Sequence, residues 1–375
     1  VNSHAGRPEF RFELLHVDAS SGARRGRIHT PHGTVETPAF MPVGTAGSVK
    51  GLTVPQIHET GTEILLGNTY HLTLRPGDQY IAEQGGLHDF IGWTRPILTD
   101  SGGFQIFSLA QLANISDHGV TFRSHIDGNQ IEISPERSIQ IQNNLGSDIA
   151  MVLDQVPALP ATEATLDEAV QRTIAWAARS RVVPRPPGQA MFGIVQGGLD
   201  VQRRQVCSEQ LIDLDFHGYA LGGLSVGESP QEMHQTVTAT TGFLPESKPR
   251  YLMGVGRPQD LLAAIGSGID LFDCVMPTRN GRNALAFTDE GPLRLRNARF
   301  RDDPRPLQHG MQSSVSRYRR SYIRHLFISR EMLGPIILSL HNLAYYQRLM
   351  RQAQEAIQAN SYSDLVNQRL AGWQN

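Results

Sequence analysis

Cysteine is nearly absent: the chain has two, Cys207 and Cys274. That excludes a disulfide framework and any zinc site built on three or four thiolates, and it fits a reducing compartment. Lysine is equally scarce, at Lys50 and Lys248 alone, so almost every positive charge is a guanidinium, the group suited to bidentate phosphate contact. No apolar run approaches the roughly 20 residues that span a bilayer. The opening residues VNSHAGRPEFRFELL hold no leader-like apolar block, and a cytoplasmic, non-membrane protein is expected. No GxGxxG motif follows the first strand candidate, which argues against a dinucleotide fold. Net charge is only −2, yet it is unevenly spread. From Arg279 to Arg330 twelve arginines face four acids, a local excess of about +8.

The 375 residues, 39% hydrophobic, suffice for one large α/β barrel with additions. Residues 10–17 and the stretch after Ala23 read as short antiparallel strands with Gly-bearing turns. Thereafter short apolar runs alternate with helical stretches. Strands are expected at 38–41, 63–69, 97–99, 148–153, 191–196, 219–224, 251–255 and 269–275. Helices are expected at 54–61, 134–146, 162–183, 201–215, 229–241, 258–267, 318–333 and 340–358, several opening on a cap followed by proline, as in Ser134-Pro135 and Ser229-Pro230. Eight such units predict a (β/α)₈ barrel, with an open doubly wound sheet as the alternative. The division expected is an N-terminal antiparallel sheet over 1–36, a barrel over 37–283 and 336–375, and a basic insertion over 284–335.

In a barrel, chemistry sits where strands end. The residues ending these runs are Asn68, Asp100, Asp154, Gln196, Gly223-Leu224, Met253-Gly254 and Asp273, with Phe104 just beyond the third strand. Each has an ordinary reading. Asp100 fits a helix cap, Asp154 and Gln196 fit turns, and Phe104 and Met253 fit core packing. Asp273 is harder to dismiss, since it interrupts the apolar run GIDLFDCV, where a charge needs a partner. Taken together, the set suits a planar heterocycle. Asp154 and Gln196 would read its edge, the Gly223 amide would meet a carbonyl, and Phe104 and Met253 would cover its faces.

Long segments carry a specific likeness: TPAFMPVGT (37–45), LGNTYHL (66–72), LTDSGGFQIFSL (98–109), SPERSIQIQNNLGSDI (134–149), FGIVQGG (192–198), YALGGLSVGE (219–228), YLMGVGRPQDLL (251–262) and LFDCVMPTRNGRN (271–283). Through them the chain resembles the bacterial tRNA-guanine transglycosylase family over roughly residues 10–360. The resemblance implies a (β/α)₈ barrel with an N-terminal sheet and a C-terminal insertion. It implies exchange of guanine at the wobble position of tRNAs with GUN anticodons for a 7-deazaguanine, in a homodimer. It gives Asp273 the nucleophile's role and Asp100 that of general acid/base. Asp154, Gln196, Gly223, Leu224, Phe104, Met253 and Gly254 would bind the base, supported by Asn68 and Glu228. Arg279, Arg282, Arg294 and Arg296 would meet tRNA.

The sequence departs from the family in two places. The family's zinc site is a C-x-C-x-x-C run with a distant histidine. His341 matches the histidine, but the cysteine positions fall near His309, Met311 and Ser314, and no zinc is expected. Gln155 and Val156 follow Asp154 where bacterial members usually carry glutamate and cysteine; valine there resembles the queuine-using form, whereas Val226 resembles the bacterial one. The incoming base is therefore expected to be 7-aminomethyl-7-deazaguanine, with queuine as the alternative. A non-catalytic tRNA-binding subunit is the competing class, and it should have lost Asp273.

Overall fold

The computed structural model describes residues 9–103, 114–157, 160–311 and 313–373. Eight short parallel strands close into a barrel. The first is broken in two, β4 (Ala39–Met41) and β5 (Val43–Gly44), because Pro42 between them has no N–H to give a ladder. The Pro42 carbonyl still accepts from Leu66 N at 3.0 Å. Then follow β6 (Leu65–Gly67), β7 (Ile97–Thr99), β11 (Ile149–Met151), β12 (Ala190–Val195), β13 (Gly218–Leu221), β14 (Arg250–Leu252) and β15 (Leu271–Asp273), each paired to the next. Closure comes from β15 pairing β4, with Phe272 opposite Phe40 and Asp273 opposite Met41, while β5 pairs β6. The strands are walled on both sides, which is why β12 reads as an unbroken apolar run and is buried throughout.

Helices fill the outer ring, and their caps agree with the sequence. Ser134 Oγ accepts from Arg137 N, Gly146 closes that helix in the left-handed region at φ 69, and Ser229 with Glu232 forms a capping box. The antiparallel sheet β1 (Arg11–Val17), β2 (Arg24–Thr30) and β3 (Gly33–Thr37) lies against the barrel's lower end. Its anchor is a buried ion pair. Arg24 donates to both oxygens of Asp270, at 2.9 and 2.8 Å, and Arg250 N donates to Asp270 Oδ2 at 2.7 Å. This accounts for the first acid in the GIDLFDCV run. Among the described residues of the stretch after β7, β8 (Asn114–Ile115), β9 (Val120–Arg123) and β10 (Gln130–Ile133) form a small antiparallel sheet that turns through Asp127-Gly128.

After β15 come the helix Met276–Arg282, a two-residue ladder of β16 (Leu285–Ala286) with β17 (Leu293–Arg294), and the helix Arg320–Ile328. The last long helix, Leu333–Gln358, begins seven residues before the expected 340. It stitches this basic segment to the barrel. Asn342 Nδ2 donates to Pro277 O and Leu285 O, both at 2.9 Å, and Gln347 Nε2 donates to Phe40 O at 2.9 Å.

Candidate active site at the barrel mouth

The C-terminal ends of β6, β7, β11, β12, β13, β14 and β15 bring most of the expected residues to one rim. Asp273 ends β15. Its Oδ1 accepts from Tyr251 Oη at 2.6 Å and from Gly254 N at 2.8 Å. Its Oδ2 has no partner among the described residues. One oxygen is thus fixed while the other keeps its lone pairs free. Burial raises the Asp273 carboxyl above its ordinary value, against the opposing pull of those two donors.

Asp100 follows β7 and is buried. Asn68 Nδ2 donates to Oδ2 in a short contact, and Thr69 N donates to Oδ1 at 2.8 Å. Burial pushes the Asp100 carboxyl up to about 6, and the charge of Asp273 adds to it. The charge of Asp273 therefore reaches Asp100 across the mouth.

Asp154, Gln196 and Gly223 form a second group beside them. Gln196 Nε2 donates to Asp154 Oδ2 at 2.6 Å, and Ser101 Oγ donates to Asp154 Oδ1 at 3.4 Å. Burial lifts Asp154 to about 6 as well. Gln196 Oε1 is buried with no partner among the described residues, an acceptor aimed beside Gly223. A Cβ on Gly223, whose φ is +65, would collide with that oxygen, so only glycine fits. The rim thus carries a carboxylate, an unpaired amide oxygen and an open backbone N–H, the complement of a heterocycle with adjacent donors and a carbonyl.

The remaining expected residues fall as follows. Leu224 is buried behind Gly223, and Met253 is half-buried against the core. Gly254, expected at the base, has its N–H committed to Asp273. Glu228 accepts from Ser225 N in a short contact and from Val226 N at 3.0 Å, and so shapes the loop after Leu224. Phe104 lies outside the described residues. Gln155 is turned outward, its Oε1 accepting from Arg172 Nη1 at 2.6 Å. Arg279, Arg294 and Arg296 are exposed on the flank beyond Asp273, and Arg282 is half-buried there with an unpartnered Nη1.

Two contributors were not singled out from the sequence. Tyr251 was read only as a strand residue, although it lies two residues before Met253, which follows β14. Arg204 sits in the charged run QRRQ, which reads as a solvated helix face.

The residues at the family's zinc position do not fit a metal. His341 is buried; its Nε2 is bonded to Phe287 O at 2.9 Å and its Nδ1 contacts Ser316 Oγ at 3.4 Å. Burial lowers it to about 4. Both ring nitrogens are engaged, and His309 and Ser314 are exposed. The two cysteines lie elsewhere, Cys207 buried under β12 and Cys274 beside Asp273. The one grouping of three metal-capable side chains among the described residues is His32, His88 and Asp148, far along the chain at the barrel's lower end. There the two rings stack at 3.6 Å with planes 18° apart, His32 Nδ1 meets Asp148 Oδ1 at 2.7 Å, and His88 Nε2 meets Asp148 Oδ2 at 3.2 Å and Arg95 O at 3.1 Å, so the group is closed on its own hydrogen bonds.

A closed (β/α)₈ barrel with interacting carboxylates at its C-terminal rim is the layout of a barrel enzyme. Comparison with known proteins specifies which kind. The family model described as queuine tRNA-ribosyltransferase matches residues 18–375. The chain is similar to the queuine tRNA-ribosyltransferase of Rhizobium meliloti (strain 1021), 52% identical over 367 residues and 97% of each chain. It is similar also to those of Syntrophobacter fumaroxidans, 51% identical over 94% of each chain, and Thermus thermophilus, 50% identical over 96% of this chain and 93% of that one. The chain belongs to the queuine tRNA-ribosyltransferase family, as a bacterial-type pentosyltransferase without the cysteine zinc site.

Proposed function

We propose that the protein is a tRNA-guanine transglycosylase that exchanges guanine at the wobble position of GUN-anticodon tRNAs for 7-aminomethyl-7-deazaguanine. The observation that carries the mechanism is the divided Asp273 carboxylate beside Asp100. Asp273 Oδ2 attacks C1′ of the ribose, and the bond from C1′ to guanine breaks with its electron pair leaving on the base. Asp100, whose raised value keeps a proton available near neutrality, protonates the departing guanine. The incoming base then loses its proton to the Asp100 carboxylate, and its nitrogen attacks C1′ and frees Asp273. Two inversions give retention. Asp154, Gln196 and the Gly223 amide bind each base in turn, with Met253 and Phe104 on its faces. A base already unpaired in the anticodon loop reaches the pocket cheaply.

Arg279, Arg282, Arg294 and Arg296, in the basic segment 284–335 and the helix before it, take phosphates on either side of the exchanged nucleotide. A cytoplasmic homodimer belongs to the same reading. Val156 supports a second reading in which queuine is the incoming base. The experiment is displacement of labelled guanine from tRNA, run with the precursor and queuine in parallel. Displacement by the precursor is expected; no displacement by either base would remove the proposal. Asp273→Ala should bind tRNA normally yet trap no covalent adduct, and exchange surviving that change would make Asp273 the wrong nucleophile.

A further inference from the structure

Arg204, on the helix Val201–Asp213, is fully buried behind the ends of β12 and β13. It has no ion-pair partner among the described residues. Its guanidinium instead donates to three backbone carbonyls: Nε to Gly198 O at 2.7 Å, Nη2 to Gly222 O at 2.9 Å and Nη1 to Val195 O at 3.4 Å. A cation buried with no carboxylate in contact, the Glu228 charge reaching it only from a distance, is costly, and packing alone would be met by an apolar side chain. The turn after Gln196 lies directly on it, for a Cβ on Gly197 would sit 2.8 Å from Arg204 N.

The bond to Gly222 O explains the cost. That carbonyl and the Gly223 N–H belong to one trans peptide, so they point in opposite directions. With the carbonyl turned back onto Arg204, the N–H is turned forward into the pocket, where it has no partner among the described residues. A cation on the carbonyl also draws electron density through the amide and makes its N–H a stronger donor. We infer that Arg204 is a positioning residue for the exchanged base: it fixes the Gly222–Gly223 peptide and strengthens the Gly223 N–H that meets the base's carbonyl. The benefit is largest when guanine departs and negative charge gathers on that oxygen, which is where a preorganised donor counts most.

This inference rests on the base-pocket reading above, and its test separates the two. Binding of guanine and of 2-aminopurine, a related ring without the carbonyl, is measured by calorimetry on the full chain as wild type, Arg204→Met and Arg204→Lys. The wild type should prefer guanine. That preference should fall about tenfold in Arg204→Met and about threefold in Arg204→Lys, through guanine alone, with 2-aminopurine binding unchanged. Lysine keeps a charge in the cavity, so Arg204→Lys decides the matter if Arg204→Met does not fold. A purely structural arginine would weaken both bases alike, and equal losses, or an undiminished preference in a folded variant, would overturn the inference. A wild type with no preference for guanine would remove the base-pocket reading itself.

Discussion

Asp154 is held near 6 by burial, and its environment is built for a ligand more than for the empty fold. A carboxyl raised above its unfolded value costs nothing below about pH 4, where both states are protonated; the cost grows between about 4 and 6 and is full above that. A shift of about two pH units is worth about 3 kcal/mol. Asp154→Asn should therefore raise stability at pH 8 by up to that amount, with the gain vanishing toward pH 4 in parallel melts. Gln196 can accommodate the amide by turning, because its Oε1 has no partner to lose among the described residues. The same variant should lose base binding by more than tenfold, since an amide cannot accept two N–H donors as a carboxylate does. Exchange in the wild type should decline as pH falls through about 6, where the Asp154 carboxylate that binds the base takes up its proton, while Asp100, the acid of the first step, stays competent.

At the scale of elements, the helix Met276–Arg282 and the strand β17 carry Arg279 and Arg294 on exposed faces beyond Asp273. Arg279→Ala and Arg294→Ala should each raise the KM for tRNA, leave base affinity unchanged, and reduce the slope of log affinity against log salt by about one. Salt titration of tRNA binding checks this. The elements themselves were legible in the sequence. Eight apolar runs became eight barrel strands, since buried parallel strands must be apolar on both faces. The acids at strand ends were legible because polar residues there break that pattern. Arg204 was not, because a helix arginine looks the same whether it faces water or a strand end nine residues back in sequence. Tyr251 was hidden for the opposite reason: an apolar ring in an apolar strand gives no sign that its hydroxyl serves Asp273. The start of the last helix was misjudged because Met332 is no capping residue and Gly334 is a poor helix former, which outweighed the first-turn signal of Pro335.

Across the whole molecule, hydrogen bonds do the work that a metal would do in the C-terminal segment. Arg320 is buried and donates to Pro306 O at 2.9 Å and Leu307 O at 3.3 Å, while His341 ties the long helix to Phe287. Chelators such as 1,10-phenanthroline should leave both Tm and exchange rate unchanged, and metal analysis of the purified protein should find less than one zinc per ten chains. At the other end, Arg24→Met would strand the Asp270 carboxylate and should cost about 3–5 kcal/mol by denaturant melts. That ion pair has a further meaning. β15 is three residues long; Asp270 moors it below and Asp273, the proposed nucleophile, ends it above. A tether this short has no play in it. On the proposed mechanism, the travel between the two displacements falls to the sugar swinging over a stationary carboxylate, so amide hydrogen exchange across residues 270–273 should be the same in the free protein and in the trapped adduct.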